Sequence, residues 1–272
     1  MAVEITQRIK DELSQIERKK DVKVIYACES GSRAWGFPSE DSDYDVRFIY
    51  VHRPNWYLSI SKQRDVIEKP VSDNLDISGW ELQKALQLFR KSNPPLMEWL
   101  GSPIVYWENY KTAQEMRAMA PKYYSPNACT YHYLHMADGN FRDYLRGSEV
   151  WVKKYFYVLR PLLAILWMEQ DRGVVPTDFN IIVENLDIDS SLRQAIHALI
   201  EEKKAGKELR HGPRNEAISA FIEREIERLS QNKPAYPRQI APVEPLDKLF
   251  IRSLDKIWPG YLGAHLVHIS RE

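Results

Sequence analysis

The residues best able to do chemistry lie in one stretch, Glu29-Ser-Gly-Ser-Arg-Ala-Trp-Gly-Phe-Pro-Ser-Glu-Asp-Ser-Asp-Tyr-Asp45. It holds two devices. Gly31-Ser32 sits where a strand should turn into a short helix. A helix start presents unpaired backbone N–H groups and a positive dipole end, both suited to phosphate. Gly31 has no side chain to obstruct a ligand, and the Ser32 hydroxyl can donate to a phosphate oxygen. The second device is Asp43 and Asp45. Two apart on a strand, they share one face about 6.5 Å apart. Carboxylates so placed repel unless a cation lies between them, and hard oxygen ligands favour Mg²⁺ or Mn²⁺. A third carboxylate on a neighbouring strand would complete a two-metal site. Asp76, bracketed by Leu75 and Ile77, is the leading choice, ahead of Asp73, Glu68 and Glu81. Taken singly, an N-cap serine and a polar turn explain each device as well. Their succession favours the chemical reading.

These residues need elements to hold them. Ile5, Ile9, Leu13 and Ile16 form one helical stripe, and Val22 to Ala27 reads as a strand. A helical turn follows over Ser32 to Gly36, then a loop through Phe37-Pro38-Ser39. Tyr44 to Val51 reads as a second strand, 52–64 as irregular, and Leu75 to Ser78 as a further strand. Trp80, Leu82, Ala85, Leu86 and Phe89 make a helical stripe. From about Glu108 onward strand signal almost vanishes. Helices are predicted over 108–119, 126–146, 150–172, 188–206, 213–230 and 245–258. The fold class is therefore α+β: a strand-bearing unit over 1–110 and an all-helical unit over 111–272.

Composition narrows the function. Lys+Arg and Asp+Glu both number 38, so the chain is no basic nucleic-acid coat, although a local basic groove stays open. Two cysteines, Cys28 and Cys129, make no disulfide framework or zinc motif. The longest apolar run, Leu162 to Met168, is too short to span a membrane, and the first twenty residues are too charged for a signal peptide. The expectation is a cytoplasmic protein with no membrane partner.

Gly31-Ser32, ten intervening residues, then Asp43-x-Asp45 and an apolar strand resembles the nucleotidyltransferase superfamily of DNA polymerase β. The fuller string is closer to one branch. Gly-Ser-Arg-Ala-Trp-Gly, Ser42 to Arg47, Leu75 to Leu82, Lys91 to Pro94, Glu98 to Leu100, Ser102-Pro103, Lys154-Tyr155 and Leu159-Arg160-Pro161 resemble RNA-repair nucleotidyltransferases whose genes accompany RNA ligases. The resemblance implies a nucleotidyltransferase palm followed by a helical domain that helps bind nucleotide. It implies transfer of NMP from an NTP to an acceptor hydroxyl, with two Mg²⁺ (or Mn²⁺) ions and release of pyrophosphate. Asp43, Asp45 and Asp76 would then be catalytic and hold metal, with Asp76 on the ion that activates the attacking hydroxyl. Gly31, Ser32, Arg33 and Lys154 would bind the nucleotide. The leading acceptor is an RNA 3′ end, and an RNA ligase pathway is the implied partner.

Other residues have two readings each. Lys153, Tyr157 and Arg160 share a helix face that could meet triphosphate or base, or simply solvent. Arg142 with Arg146, and the cluster Lys203, Lys204, Lys207, Arg210, His211 and Arg214, could track an RNA backbone or be solvated helix ends. His132 and His135 lack a carboxylate at metal-ligand spacing. Cys28 lacks a histidine partner for nucleophilic work. Rival functions are nucleotidyl transfer to a protein or small-molecule (antibiotic) hydroxyl, and a non-catalytic nucleotide- or RNA-binding module. An intact acidic triad speaks against the last.

Overall fold

The computed structural model describes residues 2–206 and 211–260. The chain opens with α1 (Ala2–Lys20), β1 (Val22–Glu29), α2 (Gly31–Ala34) and β2 (Tyr44–His52). A 3₁₀ turn over Pro54–Leu58 leads to β3 (Val66–Glu68), β4 (Leu75–Glu81), α3 (Leu82–Arg90), α4 (Pro94–Leu100) and β5 (Val105–Glu108). Then come α5 (Thr112–Tyr123), α6 (Pro126–Tyr144), β6 (Glu149–Trp151), α7 (Lys154–Glu169), α8 (Phe179–Asn185) and α9 (Ser190–Lys204). β7 (His211–Pro213), α10 (Glu216–Gln231) and α11 (Glu244–Ile257) complete the described chain.

Five strands form one mixed sheet in the order β3-β4-β2-β1-β5. β2 and β4 run parallel; the other pairs are antiparallel. The pleat sorts the side chains. Val46, Phe48 and Tyr50 of β2 and Leu75 and Ile77 of β4 join Ile9, Leu13 and Ile16 of α1 in one apolar layer. Ile49 and Val51 face the other way, into a core shared with helices from both halves of the chain. Asp45 and Arg47 share that second face by alternation, as does Asp76 on β4. The acids thus point toward the helices. Gly79 lies opposite Phe48, and a Cβ there would come within 2.3 Å of the Phe48 ring, so only glycine fits.

The helices are capped by residues suited to the task. Ser125, Asp178, Asp189 and Asn215 each accept a backbone N–H at the starts of α6, α8, α9 and α10.

The structure departs from the sequence reading in places. The helix expected over 150–172 starts only at Lys154, because Glu149–Trp151 pairs with His211–Pro213 as a two-stranded ribbon. The second half is therefore not wholly helical. β3, β5, α4 and α8 are too short to show a period. Trp80 lies on β4 rather than in the α3 stripe.

Candidate active site

Gly31 lies two residues past the end of β1, after Ser30, and has φ +59, in the left-handed region. A Cβ there would fall 2.1 Å from Asp45 Oδ2. Conformation and space both demand glycine, and the Asp45 carboxylate is aimed at the backbone of the turn. The Ser30 N–H donates to the Asp45 carbonyl (2.8 Å), locking turn and strand together.

Asp43 is exposed just before β2. Asp45 is half-buried on β2, and parallel pairing sets it opposite Asp76 of β4. The sequence reading set all three at one site on a shared strand face; the structure pairs Asp45 with Asp76, while Asp43 lies outside the strand and shares a cavity with Asp45. The structure adds Arg47. One guanidinium nitrogen, Nη2, donates to Asp45 Oδ1 at 3.1 Å and Asp76 Oδ2 at 2.8 Å. Nη1 donates to the Val46 carbonyl at 3.1 Å. The sequence carried a signal for it, since Arg47 follows Asp45 by two and so shares its face.

A second supporting residue is Glu29, fully buried at the end of β1. Its Oε1 accepts the Asp45 N–H at 2.6 Å, and its other oxygen accepts the Tyr106 hydroxyl. Burial raises the Glu29 pKa, against the pull of these two donors. Burial also raises the Asp45 pKa; Arg47 opposes the shift, while the charges of Asp76 and Asp43 add to it.

Do these residues suit a divalent cation? All three donors are hard oxygens, and two of them converge on one point. Among the described residues no three acids, histidines or cysteines are already drawn together as a coordination set. Arg47 holds the oxygens that such an ion would share. The donor set fits Mg²⁺ or Mn²⁺ if Arg47 yields Asp45 and Asp76 to it.

The facing wall comes from the helices. Gly31, Ser32, Asp43 and Asp45 share a cavity of about 140 Å³ with Trp35, Phe37, Lys153, Phe156, Tyr157 and Lys203. Phe37 stacks on Phe156 at 4.3 Å, fixing the loop after α2 against α7. Lys203 reaches from α9 to donate to the Ser39 hydroxyl at 2.6 Å. Burial, and then the Lys153 charge, lower the Lys203 pKa, against the pull of Asp41 and Asp43. Two ammoniums thus face the acids. A larger groove of about 930 Å³ between α3 and α11 has a single carboxylate, Asp247, and no phosphate turn.

Several expected residues land elsewhere. Arg33 donates to the carbonyls of Ser42 (2.8 Å) and Asp43 (3.2 Å) and lies over the Tyr44 ring, bracing the loop that carries Asp43. Lys154 does not line the cavity; its ammonium lies over the rings of Tyr144 and Tyr157. Its neighbour Lys153 faces the acids instead. Arg160 is buried against Glu98 at 2.6 Å and over Trp35, so it braces the wall. Lys203 leaves the expected basic cluster for the cleft. Of that cluster, Lys204 pairs with Glu201, Arg214 with Glu216 and Glu223, and Lys207 and Arg210 lie outside the described residues. Arg142 pairs with Asp138 and Asp143. Of the fallback acids, Asp73 pairs with Arg8, Glu68 with Arg64, and Glu81 caps α3. Cys28 is buried, and burial pushes its thiol up to about 12. No helix among the described residues is long and apolar enough to cross a membrane.

Known proteins resemble this chain along most of its length. The model of the RNA repair pathway DNA polymerase beta family matches residues 5–252. An uncharacterized protein of Bacillus subtilis (strain 168), YcgL, is 49% identical over 253 residues, covering 93% of this chain and 97% of that one. A nucleotidyltransferase-like protein from Exiguobacterium sibiricum 255-15 aligns over 93% of this chain and 90% of its own at 12% identity, with a TM-score of 0.34 too low to carry weight. With the family model matched from α1 into α11, the chain belongs to the RNA repair pathway DNA polymerase beta family.

Proposed function

We propose that this protein is an NTP-dependent nucleotidyltransferase that adds NMP to a hydroxyl, with an RNA 3′ end as acceptor. The observation that carries the reading is the convergence of Asp45 and Asp76, in register on parallel strands, beside a glycine turn packed against the Asp45 carboxylate. Asp43, Asp45 and Asp76 would hold Mg²⁺ or Mn²⁺, which when bound supplies charge to the attacking and leaving oxygens. The Gly31-Ser32 turn would take the triphosphate, with Lys153 and Lys203 neutralising it from the helical side. Glu29 would fix the Asp45 backbone, and with it the line of attack on the α-phosphorus. The RNA acceptor rests on the family, described as belonging to an RNA repair pathway.

The test is incubation with each α-labelled NTP and Mg²⁺ over RNA, protein and aminoglycoside acceptors. Label on the RNA 3′ end, lost by about a hundredfold or more in Asp45→Asn, is the expected result. Label on protein or aminoglycoside would keep the chemistry and replace the acceptor. No label on any acceptor would overturn the reading.

A further inference from the structure

A row of exposed aromatic rings adjoins the cleft through Tyr157 and Lys154. Tyr157 belongs to the cavity wall. The Lys154 ammonium lies 4.7 Å from the centre of its ring and 4.4 Å from that of Tyr144. Tyr144 meets Trp151 edge-on at 5.7 Å, and Trp151 lies against His211 at 5.5 Å across the β6–β7 ribbon. Tyr144 is 36% exposed and Trp151 39%, and His211 is also exposed. One exposed ring needs no explanation, but a contiguous run of them marks an interaction surface. Here they form a row that begins at the catalytic cavity.

The charges along the row have the sign of a polyanion's partner. Lys153 and Lys154 stand at the start of α7, whose first turn holds no acid. Cations at the positive end of a helix dipole are unfavourable, and a bound anion would relieve the cost. Neither lysine has an ion-pair partner among the described residues. Arg146, between Tyr144 and the ribbon, lies over the Phe141 ring and is likewise unpaired among them. The acids nearby in sequence are Asp143, already paired with Arg142, and Glu149, exposed at the ribbon's start.

Flat exposed rings interleaved with cations are what single-stranded nucleic acid binds, by base stacking with phosphate contacts alongside. We infer that Tyr144, Trp151 and His211, with Lys154, form a stacking track that seats the single-stranded 3′ end of an RNA acceptor and leads its terminal hydroxyl toward Asp43, Asp45 and Asp76. This rests on the nucleotidyltransferase reading above and names the acceptor's path. It replaces the Arg142 and Arg146 pair as the RNA contact, because Arg142 is already neutralised.

The test is fluorescence anisotropy of the full chain with a labelled, unstructured oligoribonucleotide about a dozen nucleotides long, without NTP. Trp151→Leu keeps an apolar side chain on the ribbon and removes the π face. Affinity in Trp151→Leu and in Tyr144→Leu should fall about tenfold each, at an unchanged salt slope, and Trp151→Phe should recover most of the loss. Lys154→Gln should reduce the salt slope by about one unit. Equal Tm values for Trp151→Leu and wild type show that the ribbon is intact; if Tm falls, the Tyr144→Leu and Lys154→Gln arms decide. Wild-type affinity and salt slope in these variants would overturn the track while RNA labelling by the wild type still upheld the transfer reading. Failure of the wild type to bind the single strand would overturn the track, and the labelling experiment then decides the transfer reading by itself.

Discussion

The two walls of the cleft are built differently. The acidic wall lies on paired strands. Register fixes Asp45 against Asp76, Glu29 holds the Asp45 N–H from below, and Gly31 packs against its carboxylate. The cationic wall hangs from helices, and each of its charges arrives alone. Lys203 is located by one hydrogen bond to Ser39, and Lys153 by its place at the start of α7. A reaction centre needs positions held tightly, as crossed strands and buried hydrogen bonds hold them. A polyphosphate clamp must admit and release its ligand, which suits single, exchangeable contacts. The cavity of about 140 Å³ between the walls is small beside the pocket of at least about 300 Å³ usual for a ligand of that size. On the proposed function, entry of an NTP would require the Lys203 side to give way.

If that division holds, the lysines govern binding more than chemistry. Lys153→Ala combined with Lys203→Ala should weaken NTP affinity about a hundredfold in calorimetry, with each single change near tenfold. Turnover at saturating NTP should fall much less. A loss confined to turnover would place the lysines in the reaction and erase the contrast.

The contrast also explains what the sequence showed. Gly31, Ser32, Asp43 and Asp45 are neighbours on the chain, carried by one short helical turn and by the loop and strand that follow it. Asp76 is further off, yet Leu75 and Ile77 betray its face. Arg47 was legible by the same alternation. Lys203 was not. It lies far along the chain from Ser39, and nothing in the spacing of α9 says which loop its end will meet. Lys153 and Lys154 were distinguishable only once the helix start was known, and the β6 strand displaced that start by several residues. The ribbon escaped because its strands are three residues each, with no period to read.

Arg47 offers a sharper probe of the acidic wall. It compensates two carboxylates that face each other across the strands, all three side chains partly exposed. Arg47→Ala leaves that repulsion uncompensated. In metal-free buffer its Tm should fall by about 5 °C, between the effects of surface and buried pairs. Added Mg²⁺ should restore more stability to Arg47→Ala than it gives the wild type, because the ion no longer displaces the guanidinium. Equal Mg²⁺ stabilisation in both proteins would show that Arg47 and the ion do not compete.

The smallest expected effect separates two acids on one strand. β4 carries Asp76 on the face turned to the cleft and Glu81 on the buried one. Glu81 accepts the N–H groups of Gln83 and Lys84 at the start of α3, and the Tyr57 hydroxyl at 2.5 Å. Burial pushes its carboxyl up to about 7 from an ordinary 4.5, against those donors. A carboxyl whose pKa is raised on folding favours the native state while protonated. Its contribution is complete below the unfolded value near 4.5 and is lost as pH rises through about 7. The Tm of the wild type should therefore decline between pH 5 and pH 8, by roughly 2–4 °C per kcal/mol withdrawn. Glu81→Gln keeps an oxygen for the helix cap and removes the titration, so its decline should be shallower. Asp76→Asn, on the cleft face of the same strand, is the comparison. A slope unchanged in Glu81→Gln but flattened in Asp76→Asn would mean that the strand's titrating strain sits in the cleft and not in the helix cap.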